Sequence, residues 1–495
     1  MSSLHYDVLV LGGGTAGCVL AGRLSENSAS SVCLVEAGPD YGPHAEGRWP
    51  TELLDARRMP GTHSWGFGDA RASRARVIGG CSAHNACMVA WGTRADYDEW
   101  SAFSDRRWDF RHLEPYMRRA ESALQSRPHS EDEIGPWDRA FVRACAAQGY
   151  ATGTLFNDLD LAEQASSYPI NAVGDVRWNA AFAYLDPARG RRNLTVLADT
   201  LVDRLTLDGA RVSNVRVLRN GEQLDLSAEL LIMAAGAYAT PAILQRSGIG
   251  AEASLRSAGI RTVHRLDGVG ANLIDHSGTW MQAAPSRTLL DACRTLGERL
   301  FQSTVVLKAS STPSDGPFDL HLVCWTEMEQ DAFYIIPKLM KPRSVGRVTV
   351  VSAEPTVLPD VDHGFLSDEG GHDLRRLVEG LRISRRVLEK CDVVEGEIAP
   401  GIDADLERFV SKDVSGYYHP VGTCRMGLAD DNFAVVDADC GVHGIENLLI
   451  ADTSVMPTIP RANTNLTVVA IAERVAAMVA RKELQPLGEG PASGV

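Results

Sequence analysis

The 495-residue sequence lacks long apolar runs, an excess of basic residues and any regular spacing of cysteines. Its apolar segments are shorter than the roughly 20 residues of a membrane-spanning helix, and the N terminus has no basic region or cleavage site of a secretory signal. The formal net charge of -15 disfavours nucleic acid or an anionic membrane as a partner. The ten cysteines are scattered, which is typical of reduced thiols. We therefore predict a cytoplasmic protein that binds neither nucleic acid nor a membrane.

A glycine-rich turn between two apolar strands opens the chain. The stretch YDVLVLGGGTAGCVLAGRLS predicts a strand from Tyr6 to Leu11, a turn and a helix, and SVCLVEAG predicts a second strand that ends in an acid. The glycines at 12, 14 and 17 form G-x-G-x-x-G, and Glu36 follows where a β-α-β unit places a carboxylate beside a ribose. Such glycines let helix N-terminal amides approach a pyrophosphate. The segment therefore predicts dinucleotide binding.

The stretch GGCSAHNAC, residues 79–87, allows three interpretations. Cys81, His84 and Cys87 have the spacing of metal ligands, the small residues suit close approach to a cofactor, and His84 could simply be a satisfied turn histidine. A structural zinc site needs a fourth ligand and usually a second ligand pair, and neither is evident in the sequence. We therefore predict no metal site here and leave the other two interpretations open.

Several further motifs occur together and are jointly specific. They are ARVIGGCSAHNA, GAYATPAILQRSGIG, GVGANLIDH, YHPVGTCRMG, VHGIENLLIADTSVMP and NTNLTVVAIAER. Together with the N-terminal turn they resemble the glucose-methanol-choline (GMC) oxidoreductases, flavoproteins that oxidise alcohols with FAD. The resemblance implies an α/β fold in which a Rossmann-like FAD-binding domain carries an inserted substrate domain of antiparallel sheet and helices. It assigns residues 1–150, 186–285 and 415–495 to the FAD domain, and 151–185 and 286–414 to the substrate domain.

The resemblance also implies two catalytic residues. His419 lies where the family places its catalytic histidine, and Asn463, the first residue of NTN, lies where the family has a histidine or asparagine. We expect His419 to act as a base or to stabilise the alkoxide, and Asn463 to orient the hydroxyl group. Asn463 is also a candidate N-cap of the following helix, and the two roles are compatible.

His84 is the most distinctive cofactor residue that the resemblance implies. The stretch around it is similar to the choline-oxidase branch of the family, in which the matching histidine is bonded to the 8α carbon of the flavin. The alternative is that His84 only packs against a noncovalently held FAD. The full set of residues that the resemblance assigns to FAD binding is Gly12, Gly14, Thr15, Ala16, Gly17, Glu36, Ala37, Arg76, Gly79, Gly80, His84, Asn85, Ala86, Val202, Ala237, Asp452, Thr464, Asn465 and Thr467.

The implied reaction is oxidation of a primary alcohol to the aldehyde by hydride transfer to flavin N5, with O2 reduced to hydrogen peroxide. The alternatives are a dehydrogenase that uses a quinone or another redox carrier, a hydroxynitrile lyase on the same fold, and a noncatalytic FAD-binding protein. Ala86 stands where the choline-oxidase branch has serine, which disfavours choline itself. A homodimer is the default quaternary state. Candidate substrate contacts are Trp65, His321, Trp325, Glu327, Tyr334, Tyr417 and Tyr418.

Overall fold

The computed structural model describes residues 4–67, 73–153, 155–159, 163–312 and 316–481. The C-terminal residues 482–495 of the predicted FAD domain therefore lie outside the described residues. Helices and strands alternate at the N terminus, whereas runs of consecutive strands such as β3–β10 and β15–β19 make up much of the middle. The strands are β1 Leu4–Leu11, β2 Val32–Val35, β3 Ala151–Thr152, β4 Gln164–Ser167, β5 Ala172–Val173, β6 Val176–Arg177, β7 Leu194–Leu197, β8 Thr200–Asp208, β9 Arg211–Arg219, β10 Glu222–Met233, β11 Ile249–Gly250, β12 His264–Arg265, β13 Ser277–Gly278, β14 Met281–Pro285, β15 Val305–Ala309, β16 Leu320–Glu327, β17 Ala332–Leu339, β18 Arg347–Thr349, β19 Asp360–Asp362, β20 Val394–Ala399, β21 Ser415–Gly416 and β22 Leu448–Ile450.

The helices lie mainly on the faces of two large sheets, because each has an apolar side that must be covered. In the described part of the chain, no helix combines the length and the apolarity that crossing a bilayer requires. The helices are α1 Thr15–Leu24, α2 Thr51–Leu54, α3 Arg94–Asp98, α4 Phe110–Ala123, α5 Pro136–Ala147, α6 Gly236–Arg246, α7 Glu252–Ser257, α8 Arg287–Leu296, α9 His372–Leu388, α10 Leu406–Asp413 and α11 Thr464–Arg481.

The first sheet is built around the N-terminal β-α-β unit. Its strand order is β7-β2-β1-β10-β9-β8, and β22 pairs with β10. The strands β7, β2, β1, β10 and β22 run parallel, whereas β8, β9 and β10 form an antiparallel meander. The helices α1, α4 and α11 contribute to the same apolar core as these strands. The carboxyl ends of the parallel strands thus meet at one edge, where ligands bind in such folds.

The second sheet is largely antiparallel and has the order β20-β14-β17-β16-β15-β4-β3, with β13 joining β17 to β21. The helices α5, α8 and α9 pack on this sheet and share its apolar core. The amphipathic pattern DLRRLVEGLRISRRVLEK forms most of α9, with its apolar residues buried against the sheet. The predicted combination of a Rossmann-like sheet with an inserted antiparallel sheet and helices is therefore confirmed.

Several segments lie in the sheet of the other predicted domain, among them β21, which is within range 415–495 but pairs with β13 of the second sheet. The helix α5, within range 1–150, packs on the second sheet, and β13 and β14, within range 186–285, are strands of it. Residues 180–185, within range 151–185, pack into the core of the first sheet. The apolar pattern of a short segment shows that it is covered, but it does not show which sheet covers it. The division into two domains remains a prediction.

Candidate active site

A cavity of about 960 Å³ is lined by residues from both large sheets. Its volume is typical of cavities that enclose a cofactor or a small ligand. Most residues that the sequence analysis assigned to cofactor binding and catalysis meet here, although they come from distant parts of the chain. The predicted residues that line the cavity are Gly12, Gly14, Thr15, Ala16, Glu36, Ala37, Gly80, His84, Asn85, Ala86, Val202, Ala237, His419, Asp452, Asn463, Thr464 and Asn465.

Two predicted glycines, Gly17 and Gly79, shape the cavity without lining it. A Cβ atom on Gly17 would lie 1.8 Å from the carbonyl oxygen of Gly12, so only glycine lets α1 pack directly on the turn. Gly79 has a φ of +84° and donates its N–H to the Gly13 carbonyl at 2.8 Å, which ties the two glycine-rich segments together. Both therefore act on the cavity through the backbone.

The other two predicted residues outside the cavity lining are Arg76 and Thr467. The Arg76 Nε donates to the Ala37 carbonyl at 3.1 Å, and its guanidinium lies 5.1 Å from the centre of the Trp65 ring. Thr467 is fully buried, and its hydroxyl is hydrogen-bonded to that of Tyr97 at 2.9 Å. In this structure both side chains support neighbouring segments.

At the ends of β1 and β2 the cavity has the shape of a nucleotide cradle. Gly12 has a φ of +112°, and a Cβ there would lie 2.6 Å from the Ala234 carbonyl, so the turn requires glycine. The Glu36 carboxyl accepts N–H bonds from Gly13 and Gly38, both at 2.8 Å, and burial raises its pKa to about 7. Further lone pairs on its two oxygens are available for a ribose hydroxyl. This end fits the adenosine half of FAD.

Asp452, which the sequence analysis assigned to cofactor binding, lines the cavity and also makes several hydrogen bonds within the protein. One of its oxygens accepts bonds from the Gly236 N–H at 2.8 Å and the Thr240 hydroxyl at 2.6 Å, and the other accepts the Ser454 N–H at 2.8 Å. Gly236 is the first residue of α6. Although Asp452 lines the cavity, its hydrogen bonds hold the start of that helix.

At the start of α11 two amide side chains have polar atoms without a partner. The Asn465 Nδ2 and the Asn463 Oδ1 are buried and have no hydrogen-bond partner, and both residues line the cavity. An unpartnered buried polar atom is costly unless a ligand completes its hydrogen bonding. These two atoms therefore fit a polar ligand at the N-terminal end of α11, such as the ring system of FAD with its carbonyl and N–H groups.

His419 lies in a chain of hydrogen bonds that fixes the position of its proton. The His276 Nε2 lies 3.1 Å from the Pro460 carbonyl, which can only accept, so His276 carries its proton on Nε2 and its Nδ1 accepts. The His419 Nδ1, 2.9 Å from that Nδ1, must then be the donor. This leaves the lone pair of His419 on Nε2, where the Asn463 Nδ2 donates to it at 3.1 Å. His419 is therefore poised to accept a proton on Nε2.

Burial and the neighbouring positive groups keep the His419 imidazole neutral. Burial lowers its pKa well below the ordinary value, and the neighbouring His276 and Arg74 lower it further. Asp275 lies behind the pair and accepts the backbone N–H of His419 at 2.9 Å. Burial raises the pKa of Asp275 to about 6, despite the nearby Arg74. A neutral imidazole next to an amide donor can hold an alcohol hydroxyl and take its proton.

His84, the predicted covalent ligand, also lines the cavity with a fixed tautomer. Its Nε2 donates to the Thr62 carbonyl at 2.6 Å, which leaves the lone pair on Nδ1. Burial lowers its pKa, so the ring is neutral and nucleophilic near pH 7. Of the two cysteines that suggested a metal site, Cys87 is buried and accepts a hydrogen bond from the Arg177 Nη1 at 3.4 Å.

Five of the seven candidate substrate contacts line the cavity, namely Trp65, Trp325, Tyr334, Tyr417 and Tyr418. His321 is fully buried against the Phe318 ring, 5.5 Å between centroids, and is not part of the cavity wall. Glu327 is also outside it, and accepts hydrogen bonds from Gln302 and Trp325 at 3.1 Å.

Three functional residues were missed by sequence reasoning: His276, Arg74 and Lys338. His276 closes the motif GVGANLIDH, and this was the available signal, although the motif alone does not show which side chain the histidine contacts. Arg74 precedes the ARVIGG segment by one residue, and Lys338 lies in an apolar strand without a motif. Their positions depend on pairing between distant segments, which the sequence does not reveal.

A glycine cradle at the ends of parallel strands, together with a neutral histidine and an amide at the far end of the same cavity, defines a dinucleotide-binding oxidoreductase. Models of the GMC oxidoreductase family match residues 6–278 with their N-terminal part and residues 342–472 with their C-terminal part. The chain belongs to the GMC oxidoreductase family, as the sequence analysis predicted. It is an enzyme of a flavin-dependent family that acts on CH–OH donors.

Relatives and solved structures match the chain over nearly its whole length. Choline oxidase of Arthrobacter globiformis is 31% identical, with 97% of this chain and 95% of the relative covered. The 5-(hydroxymethyl)furfural oxidase of Methylovorus sp. (strain MP688) is 32% identical, with 96% and 99% covered. The crystal structure of pyridoxine 4-oxidase from Mesorbium loti is similar with a TM-score of 0.84 and 27% identity, and covers 96% of this chain and 99% of that one.

Proposed function

We propose that the protein oxidises a primary alcohol to the aldehyde with FAD bound in the cavity. The observation that carries this proposal is the hydrogen-bond chain from Pro460 through His276 to His419, which leaves the His419 Nε2 as an acceptor beside Asn463. FAD, when bound, would supply the acceptor for the hydride that leaves the alcohol carbon. The protein residues act on the hydroxyl: Asn463 orients it by hydrogen bonding, and the His419 Nε2 takes its proton.

The experiment measures aldehyde formation by the FAD-loaded protein across a panel of primary alcohols. We expect turnover with at least one alcohol, and a loss of about 10²-fold in kcat for Asn463→Leu, which removes the amide at similar size. His112→Ala is the control, because His112 is exposed and bonded only to its neighbour Asp109. Absence of turnover with every alcohol, or an Asn463→Leu variant as active as the control, would contradict the proposal.

We further propose that O2 is the electron acceptor and that hydrogen peroxide is the second product. The proposal is supported by the names of the relatives, since choline oxidase, 5-(hydroxymethyl)furfural oxidase and pyridoxine 4-oxidase are all oxidases. The test is stopped-flow mixing of the substrate-reduced holoenzyme with air-saturated buffer. Reoxidation within seconds, with one peroxide formed per aldehyde, is expected. Reoxidation that takes minutes would instead identify a dehydrogenase that uses a quinone or another carrier.

A third part of the proposal is a covalent bond between His84 and the flavin. The bond would join the His84 Nδ1 to the 8α carbon; one proton leaves the 8α carbon and one leaves the His84 Nε2, and the two electrons pass to O2 or another oxidant. The neutral ring, its lone pair on Nδ1 and its place in the cavity wall support this assignment. The Thr62 carbonyl, which accepts from Nε2, keeps Nδ1 nucleophilic.

The covalent bond can be tested without any activity measurement. The acid-precipitated wild-type protein is expected to give a yellow pellet, and the intact denatured chain to have gained the mass of FAD. The His84→Ala pellet should be colourless, whereas the His112→Ala pellet should remain yellow. A colourless wild-type pellet would contradict covalent attachment and leave noncovalent FAD binding intact.

A further inference from the structure

A buried lysine lies in the wall of the active-site cavity. The side chain of Lys338 on β17 is 7% exposed, and its Nζ donates one hydrogen bond, to the Gly416 carbonyl at 3.1 Å. Among the described residues, the carboxylate whose charge acts on the pKa of Lys338 is that of Asp275, and no ion pair joins the two groups. Burying an ammonium group is costly unless it is paired, so a lysine with two N–H donors free in a cavity indicates a missing anionic partner.

A glycine on the neighbouring strand leaves the space that this lysine side chain occupies. Gly278 on β13 is the register partner of Lys338, and a Cβ on Gly278 would lie 2.2 Å from the lysine Cδ and 2.7 Å from Nζ. Any side chain at 278 would therefore displace the lysine. The aliphatic part of the Lys338 side chain crosses β13 at Gly278, where no side chain blocks it. This keeps the ammonium group in the cavity wall.

The ammonium group is close to the catalytic residues. The Lys338 Nζ lies 5.4 Å from the centre of the Tyr417 ring, and the His419 ring lies 4.4 Å from the same centre. Both groups therefore contact Tyr417, and all three residues line the same cavity. A substrate that places its hydroxyl on His419 and Asn463 can therefore extend past Tyr417 towards Lys338.

A second cation faces the same part of the cavity. Arg74 lines the cavity wall, its Nη1 donates to the Tyr418 carbonyl at 2.8 Å, and its guanidinium lies 5.2 Å from the centre of the Tyr238 ring. Of the described carboxyl groups, Asp275 is the one whose charge acts on both cations, and it lies behind the wall, bonded to the backbone of His419. One buried carboxyl group does not neutralise two cations.

The carboxylates of the cavity wall are at the other end. Among the described lining residues they are Glu36 and Asp452, and both are hydrogen-bonded to backbone N–H groups in the nucleotide half. A quaternary ammonium substrate such as choline would meet Lys338 and Arg74 without a carboxylate beside them. The electrostatic potential of the substrate half therefore favours an anion and repels a cation.

We propose that the substrate of this enzyme is a hydroxy-carboxylate, whose carboxylate pairs with Lys338 while its hydroxyl group lies on His419 and Asn463. The inference rests on the proposed oxidation of an alcohol and adds the chemical class of that alcohol. A carboxylate suits the site because its two oxygens match the two free N–H donors of the lysine. Burial lowers the pKa of Lys338 to about 8, so the lysine is mostly charged near pH 7.

The test measures binding, so that it is independent of turnover. Carboxylates from acetate to benzoate, each with its neutral amide, are titrated into the FAD-loaded protein, and binding is followed by the flavin absorbance change and by calorimetry. We expect at least one carboxylate to bind about tenfold more tightly than its amide. This preference should be lost in Lys338→Met, retained in Lys338→Arg and weakened in Gly278→Ala, which displaces the lysine without removing its charge.

The control variant is Lys390→Met, which removes one exposed lysine at the end of α9. It should retain the wild-type preference, and FAD content and thermal unfolding should show that each variant is folded. If no carboxylate binds more tightly than its amide, or if Lys338→Met keeps the preference, the inference is wrong. Oxidation of neutral alcohols under the same conditions would then show that the proposed function still stands.

Discussion

At the scale of single residues, His276 illustrates how a side chain that does not line the cavity decides what another can do. A free imidazole can carry its proton on either nitrogen, and only one of these forms can accept a hydroxyl proton on the cavity side. The Pro460 carbonyl fixes the proton of His276, and His276 in turn fixes that of His419. His276 is therefore a positioning residue.

Because His276 fixes the tautomer of His419, two substitutions of His276 should have different effects on kcat. His276→Leu removes the acceptor of the His419 Nδ1 proton and should lower kcat by about 10- to 100-fold, because the wrong tautomer becomes populated. His276→Asn keeps an oxygen near the former Nδ1 and should restore much of the rate. The measurement is kcat and KM of both variants with FAD content as the control. Equal rates for the two variants would show that His276 only fills space.

Residues that belong to short sequence motifs could be assigned to a common site from the sequence. The glycines at 12 and 14 and the pair His419 and Asn463 were predicted from short motifs, and the structure brings them into one cavity. Lys338 could not be predicted in this way, because its significance depends on the register with Gly278, which belongs to another strand. The role of a lysine in an apolar strand cannot be predicted until its neighbours on the adjacent strands are known.

At the scale of elements, the close contact between α1 and the glycine turn is the most constrained feature of the cofactor end. The strand, turn and helix were predicted correctly, since their hydrophobic pattern and glycine spacing are local properties. The sheet to which α5, β13 and β14 belong could not be predicted from the same local pattern, because packing partners are decided by the whole chain.

The substitution Gly17→Ala should separate α1 from the turn. Its Cβ would lie 1.8 Å from the Gly12 carbonyl oxygen, and neither atom can move without moving backbone. We expect a loss of about 2–3 kcal/mol in the free energy of unfolding and weaker retention of FAD. The matched control is Gly190→Ala, at an exposed position with no heavy atom within 4 Å of the added Cβ. If Gly17→Ala is as stable as Gly190→Ala and retains as much FAD, position 17 does not require glycine.

At the scale of the whole molecule, buried histidines make stability depend on pH. His129 is 8% exposed between the rings of Tyr168 and Phe301, and its Nδ1 lies 3.5 Å from the Glu133 Oε2. Burial lowers its pKa from 6.5 to about 4, although Glu133 favours the charged form. Below pH 6.5 the unfolded chain binds a proton that the folded chain excludes until about pH 4, so acidification favours unfolding.

The variant His129→Phe should weaken this pH dependence, because phenylalanine fits between the same rings and does not titrate. Between about pH 7 and about pH 5, the free energy of unfolding of the variant should fall by up to about 2 kcal/mol less than that of the wild type. Urea unfolding of the holoprotein at both values measures the difference. An identical pH dependence in wild type and variant would show that His129 is not held neutral.

The most direct test of the central claim, oxidation of an alcohol with His419 as the base, is anaerobic mixing of the FAD-loaded protein with the panel of alcohols. The absorbance of the oxidised flavin is followed in time, and aldehyde is quantified at the end. We expect one alcohol or more to bleach the flavin completely and to yield one aldehyde per flavin. In His419→Ala, with FAD still bound, the rate should fall by about 10²- to 10⁴-fold. Unbleached flavin with every alcohol, or equal rates in wild type and variant, would contradict the claim.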